Sequence, residues 1–180
     1  MSRYDSITGK YIEIKDRIGL LDRKLRVLNE NYKNYAKVNN KDEKEVWISF
    51  AYLALKHTYG YEWRGDNLLL GRENILFTII DYYKEQFGKE SELNILKNVA
   101  YIISWNIWQM DGFKFIVPMS ETDKLKSSKA DFNIIAEDSK KLENGQTNVN
   151  GIYCKIKNWD LEKDKNIIYF AQCVDLKRNG

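Results

Sequence analysis

Residues 58–67 read Thr58-Tyr-Gly-Tyr-Glu-Trp-Arg-Gly-Asp-Asn67. The aromatic half, Thr58 to Trp63, has the composition of a short strand, and Gly60 lets another backbone approach it closely. Asp66 stands where a cap belongs, for a helix running from about Asn67 to Phe87 with an interruption at Gly71. Ile75, Ile79, Ile80, Tyr83 and Phe87 form its apolar face, and Gly88 sits at the left-handed C-terminal cap position. A strand feeding directly into a long amphipathic helix is an α/β step, and the rest of the chain is read outward from it.

Upstream, Ile14, Ile18, Leu21, Leu25, Leu28, Tyr32 and Tyr35 alternate in spacings of four and three, which puts them on one helix face. Packing on the core is the expected use of that face. The alternative is a coiled-coil seam between two copies, so the chain is expected to be a monomer or a weak dimer. Residues 1–10 look frayed. Asn39 to Lys44 is a polar break, and Val46, Trp47, Phe50, Ala51, Ala54 and Leu55 mark a second helix.

Downstream, Ser91 is positioned to cap a fourth helix with Leu93, Leu96, Ala100 and Ile103 on one side. After Ser104 the character changes. Trp105–Met110, Phe113–Val117 and Phe132–Ala136 are strand-like, residues 120–130 form a lysine-rich loop, and Leu142–Asn150 is loop. Gly151–Lys157 and Lys165–Leu176 read as a C-terminal hairpin. The expectation is one domain over 1–180, helix-rich in 1–104 and strand-rich in 105–176, of α/β or α+β class.

Composition limits the function. The chain has 180 residues, with 43% hydrophobic, 13% aromatic and 31% charged, which is enough for a core and argues against disorder. A net charge of +3 excludes an acidic nucleic-acid mimic and a histone-like basic protein, while leaving room for a local basic face. Met1 to Lys15 holds no apolar leader, and no apolar run approaches the ~20 residues of a membrane span. With two cysteines, Cys154 and Cys173, the expected compartment is the cytoplasm.

Several chemistries are removed by counting. The one histidine, His57, ends a helix and is expected to cap or pack there, so no catalytic triad is expected. Three Cys and His residues in total, none at ligand spacing, leave no zinc site. No two glycines lie two residues apart, so there is no Gly-x-Gly phosphate loop. Asp131, Glu137 and Asp138, beside Lys140 and Lys141, come nearest to a carboxylate cluster and read as a solvated loop.

The segment 58–67, with Arg72-Glu-Asn74 and Ile102-Ile-Ser-Trp-Asn-Ile-Trp-Gln-Met-Asp-Gly112, resembles the S-adenosylmethionine domain of N6-adenine DNA methyltransferases. Cys154-Lys-Ile-Lys-Asn-Trp-Asp160 is similar to the piece preceding that family's catalytic loop. The likeness spans about residues 20–176 and implies a mixed methyltransferase-like sheet. By position, it makes Glu62 the remnant of the acid on the cofactor ribose and Asp111 the remnant of the acid on the adenine amino group.

Two departures weigh against activity. The stretch Ile7 to Leu20 has its glycines ten residues apart where the family has a tight glycine loop. The family's catalytic motif needs two consecutive prolines, and this chain has one proline, Pro118. The resemblance therefore implies a truncated, catalytically dead core without a cofactor. In size and style the chain is also similar to phage anti-CRISPR proteins that inhibit Cas9.

A binding surface is expected in the second half. Lys124, Lys126, Lys129, Lys140, Lys141, Lys155 and Lys157, with Trp159 nearby, supply cations for phosphates and a ring for stacking. Lys155 and Lys157 point to one face of a strand. Arg23, Lys24 and Arg26 read as plain helix surface, and Trp47, Trp63, Trp105 and Trp108 as mainly core. The expected function is a non-enzymatic anti-defence protein that binds a CRISPR nuclease with its guide RNA, or a similar nuclease–nucleic acid complex. The alternatives are a subunit of an adenine methyltransferase and a DNA-binding accessory protein.

Overall fold

A computed structural model of the chain describes residues 3–5, 7–120 and 151–175. The expected loops at 120–130 and 142–150, the strand Phe132–Ala136, the carboxylates Asp131, Glu137 and Asp138, and Lys124, Lys126, Lys129, Lys140 and Lys141 lie outside the described residues, save Ser120 at the edge of the first loop.

In chain order the elements are α1 (Leu20–Val38), α2 (Glu43–Lys56), β1 (Gly60–Glu62), α3 (Gly65–Phe87), α4 (Leu93–Asn106), β2 (Ile107–Gln109), β3 (Lys155–Lys157), β4 (Ile167–Tyr169) and α5 (Phe170–Asp175). Helices dominate. The described strands form two two-stranded sheets, β1 with β2 and β3 with β4, so a mixed α+β class holds. β1 and β2 run parallel, with Gly60 opposite Ile107, Tyr61 opposite Trp108 and Glu62 opposite Gln109. The helices α3 and α4 lie between them in sequence, which makes this a β–α–α–β crossover.

The chain divides into two compact units, Met1–Gln109 with Ile156–Ile168, and Met110–Lys155 with Tyr169–Gly180. In the first unit α1 packs on α2, and α2 and α3 both pack on α4. Its core joins Leu21, Leu25, Leu28 and Tyr32 of α1, Val46, Trp47, Ala51 and Leu55 of α2, Ile75, Ile79, Tyr82 and Tyr83 of α3, and Ile95, Val99, Ile102 and Ile103 of α4. Around Trp47, the rings of Tyr83 and Phe87 pack edge-on at 5.7 and 5.6 Å. The second unit buries Met110, Ile116, Cys154 and Ala171.

Several expectations are corrected. α1 begins at Leu20 after the extended Gly19, so Ile18 is exposed and Ile14 lies in a separate 3-10 turn. Tyr35 is exposed, and Ala36 takes the inward place. The start of the chain is clasped: Arg3 and the buried Arg17 each meet Asp81 of α3 at 2.8 Å. Arg17 also donates to the Tyr11 hydroxyl at 2.6 Å.

α3 starts at Gly65, with the Asp66 carboxylate in its first turn held by the Arg64 guanidinium at 2.6 Å rather than capping it. Gly71 does not interrupt the helix, because burial of Ile75, Ile79 and Tyr82 outweighs the ~1 kcal/mol that a mid-helix glycine costs. Gly88 does adopt the left-handed cap, at φ 65°. Ser91 caps nothing; the cap residue is Glu92. α4 turns Ile95, Val99 and Ile102 inward; of the expected stripe Ile103 is buried with them and Leu96 half-buried, while Leu93 and Ala100 are exposed.

Of the expected strand Phe113–Val117, residues 113–115 are a turn, while Ile116 makes antiparallel bridges with Asp111 and Tyr153 and the Val117 amide donates to the Ile152 carbonyl at 2.8 Å. The Asp111 carboxylate accepts from the Phe113 and Lys114 amides at 2.9 and 3.2 Å, and Phe115 lies at φ 61°, left-handed and unsuited to a strand. The second hairpin strand stops at Tyr169. There Gln172 reaches back to accept the Tyr169 amide at 3.2 Å, and α5 starts at Phe170. No helix among the described residues is long and apolar enough to cross a membrane.

Candidate functional site

Asn106 ends α4 with its side chain fully buried. Its amide nitrogen donates to the carbonyls of Leu55, Lys56 and Thr58 at 2.9, 2.8 and 3.2 Å. These carbonyls lie at the C-terminal end of α2, where helix carbonyls lack internal partners. Its oxygen accepts from the Trp159 indole nitrogen at 2.7 Å. One buried amide thus fixes three segments, the end of α2, the end of α4 and the stretch after β3.

Around this pin lies a basic and aromatic cluster. The Lys157 ammonium sits 4.7 Å from the Trp159 ring centre, 4.9 Å from Tyr101 and 5.8 Å from Trp105. It donates to the Tyr101 hydroxyl at 2.8 Å. The Lys56 ammonium lies 5.4 Å from the same Trp159 ring. Tyr101 and Trp159 meet edge-on at 6.1 Å. Each cation–π contact is favourable by about 0.5–1 kcal/mol where partly exposed. Among the described residues neither ammonium has a carboxylate at ion-pair distance. Two cations are held against one indole without a counter-charge, an arrangement that attracts an anion.

The expected site residues separate. Lys157 and Trp159 belong to the cluster. Lys155 is exposed on the same strand, with its ammonium 5.1 Å over the Tyr169 ring in the second unit. Glu62 ends β1, and one of its oxygens accepts from the Trp63 and Arg64 amides at 2.8 and 3.1 Å. Asp111 is spent likewise on its own turn, as described above. Both carboxylates therefore fasten the backbone that follows them.

His57 does not cap α2 with its ring, whose Nε2 lies 3.7 Å from Asp160. His57 takes the C-cap position through its backbone amide, which donates to the Leu53 carbonyl at 3.2 Å, and Lys24 of α1 adds side-chain bonds to the His57 carbonyl at 2.7 Å and the Thr58 hydroxyl at 3.1 Å. Burial holds its ammonium below the usual lysine range. Arg26 donates to the Arg17 carbonyl at 2.6 Å, so the Arg23–Arg26 stretch is more than surface. Trp47 and Trp108 are core, whereas Trp63 is exposed. Burial pushes the Cys154 thiol up to about 11, which makes it a poor nucleophile. Among the described residues no three His, Cys, Asp or Glu side chains are grouped to hold a metal.

Sequence reading missed Lys56, Tyr101, Trp105 and Asn106. The one local signal is the i, i+4 spacing of Tyr101 and Trp105 on α4. Nothing local ties either to residue 157. Compared with family models, with curated proteins and with solved structures, the chain matches none.

Proposed function

We propose that the protein acts by binding rather than by chemistry, and that it antagonises a nuclease–nucleic acid complex, with Cas9 and its guide RNA as the first candidate. The observation that carries this reading is the pair of ammonium groups, Lys56 and Lys157, held against the Trp159 ring with no carboxylate at ion-pair distance among the described residues. Cations fixed beside aromatic rings suit a phosphate backbone and its bases. The missing proline pair and glycine loop support the absence of methyl transfer, and one oxygen of each of the Glu62 and Asp111 carboxylates is engaged by the backbone amides that follow it.

The test is target cleavage by a Cas9–guide complex with the protein in excess, alongside capture of the complex on immobilised protein. Inhibition is expected, and the double variant Lys56→Glu, Lys157→Glu is expected to lose it. Cleavage that proceeds unimpeded overturns the Cas9 candidate. Calorimetry with S-adenosylmethionine checks the rest, and heat of binding together with methylation of DNA would overturn the non-enzymatic reading.

A further inference from the structure

We propose that an aromatic ledge leading to the Lys56–Lys157 cluster is the seat of a single strand of nucleic acid; this rests on the binding function above and names its ligand. The ledge is built from consecutive contacts within the first unit. Tyr61 of β1 lies opposite Trp108 of β2, with ring centres 6.1 Å apart. Tyr59, just before β1, meets the same Trp108 ring at 6.4 Å. The Tyr59 hydroxyl donates to the Lys157 carbonyl at 2.8 Å. Lys157 in turn reaches Tyr101, whose ring meets Trp159, over which Lys56 lies. Tyr59, Tyr61 and Tyr101 are 39%, 52% and 50% exposed. The chain of contacts thus presents three half-open phenol rings and ends in two ammonium groups.

The chemistry selects the ligand. A ring lying open to solvent stacks on the face of a base, and base faces are open in a single strand but covered in a duplex. The ammonium groups meet the phosphates that link those bases. Tyrosines also serve protein interfaces, but the interior of such an interface is depleted in lysine, and two lysines at the end of the ledge with no ion-paired carboxylate among the described residues favour an anionic polymer.

Fluorescence anisotropy with a labelled oligothymidylate and a duplex of equal length, at fixed salt, tests the proposal on the full chain. The single strand is expected to bind at least about tenfold more tightly than the duplex. Tyr61→Ala and Tyr101→Ala are each expected to weaken it roughly tenfold, while Tyr61→Phe and Tyr101→Phe retain the ring and the binding. Lys56→Gln and Lys157→Gln are each expected to lower the log–log salt slope by about 0.7. Circular dichroism checks that the variants fold.

Equal affinity for duplex and single strand overturns the ledge. So does a loss on Lys→Gln with none on Tyr→Ala, which leaves the basic cluster and the proposed function standing. Oligonucleotide left unbound while the nuclease complex is still captured marks the ledge as a protein contact and overturns it as a strand site. Failure of both oligonucleotide binding and capture removes the proposed function as well.

Discussion

Asn106 uses its whole amide inside the first unit, three carbonyls on its nitrogen and one indole on its oxygen. Replacing it by alanine strands those partners away from water, at a cost of about 2–4 kcal/mol. Urea denaturation of Asn106→Ala is expected to show a lower midpoint with an unchanged slope, and Trp159 emission is expected to move to the red. Asp22 behaves oppositely. It is buried on α1, and one oxygen, Oδ1, has no hydrogen-bond partner. Burial raises its pKa, with Arg17 and Arg26 opposing that shift only in part. A carboxyl whose folded pKa exceeds its unfolded value favours folding while protonated, and the benefit fades as pH rises through the folded pKa. Asp22→Asn is therefore expected to melt higher than the native protein at pH 7, with the gap closing as pH falls toward the ordinary aspartate range. A gap that widens in acid would refute this.

The helices were legible in the sequence to the extent that they are amphipathic on one face. The Leu21, Leu25, Leu28 and Tyr32 stripe, the α2 face and the Gly88 cap stand where periodicity and cap chemistry put them. α4 was legible only in part, with Ile103 buried as expected but Leu93 and Ala100 exposed, because the helix is apolar on two sides. Its orientation is settled by Asn106, whose partners are some fifty residues away in sequence. The strands were overread for a different cause. Side chains return to the backbone at Asp111 and Gln172 and convert apolar runs into a turn and a short helix. Of the candidate site, Lys157 and Trp159 were visible as a lysine beside a ring, whereas Lys56, Tyr101 and Trp105 join them only through the fold. Gly71 tests the account of α3. A methyl group there meets nothing within 4 Å, and the residue is helical. Gly71→Ala is expected to stabilise the protein by about 0.5–1 kcal/mol in denaturant titrations.

The division of the molecule into two units makes local damage informative. The first unit has a core shared by four helices, whereas among its described residues the second buries few apolar side chains. Gly151 belongs to the second, and a β-carbon there would stand 2.6 Å from the Ile116 Cδ1 and 3.1 Å from the Ser120 oxygen. That oxygen accepts the Ile152 amide at 2.9 Å and donates to the Val117 carbonyl at 2.6 Å, so a shift of Ser120 breaks two hydrogen bonds at once. Gly151→Ala is expected to cost about 1–3 kcal/mol through overpacking. If each unit opens on its own, the cost falls on the second alone. Amides of Val117, Ile152 and Cys154 are then expected to exchange faster, while those of Leu25, Val99 and Ile103 keep their protection. The Cys154 thiol gives a second readout, since its burial makes alkylation depend on opening. Faster alkylation with undisturbed protection in α1 and α4 fits independent units. Equal loss of protection in both would mean that the chain opens as one body, and that the core of the first unit supports the whole.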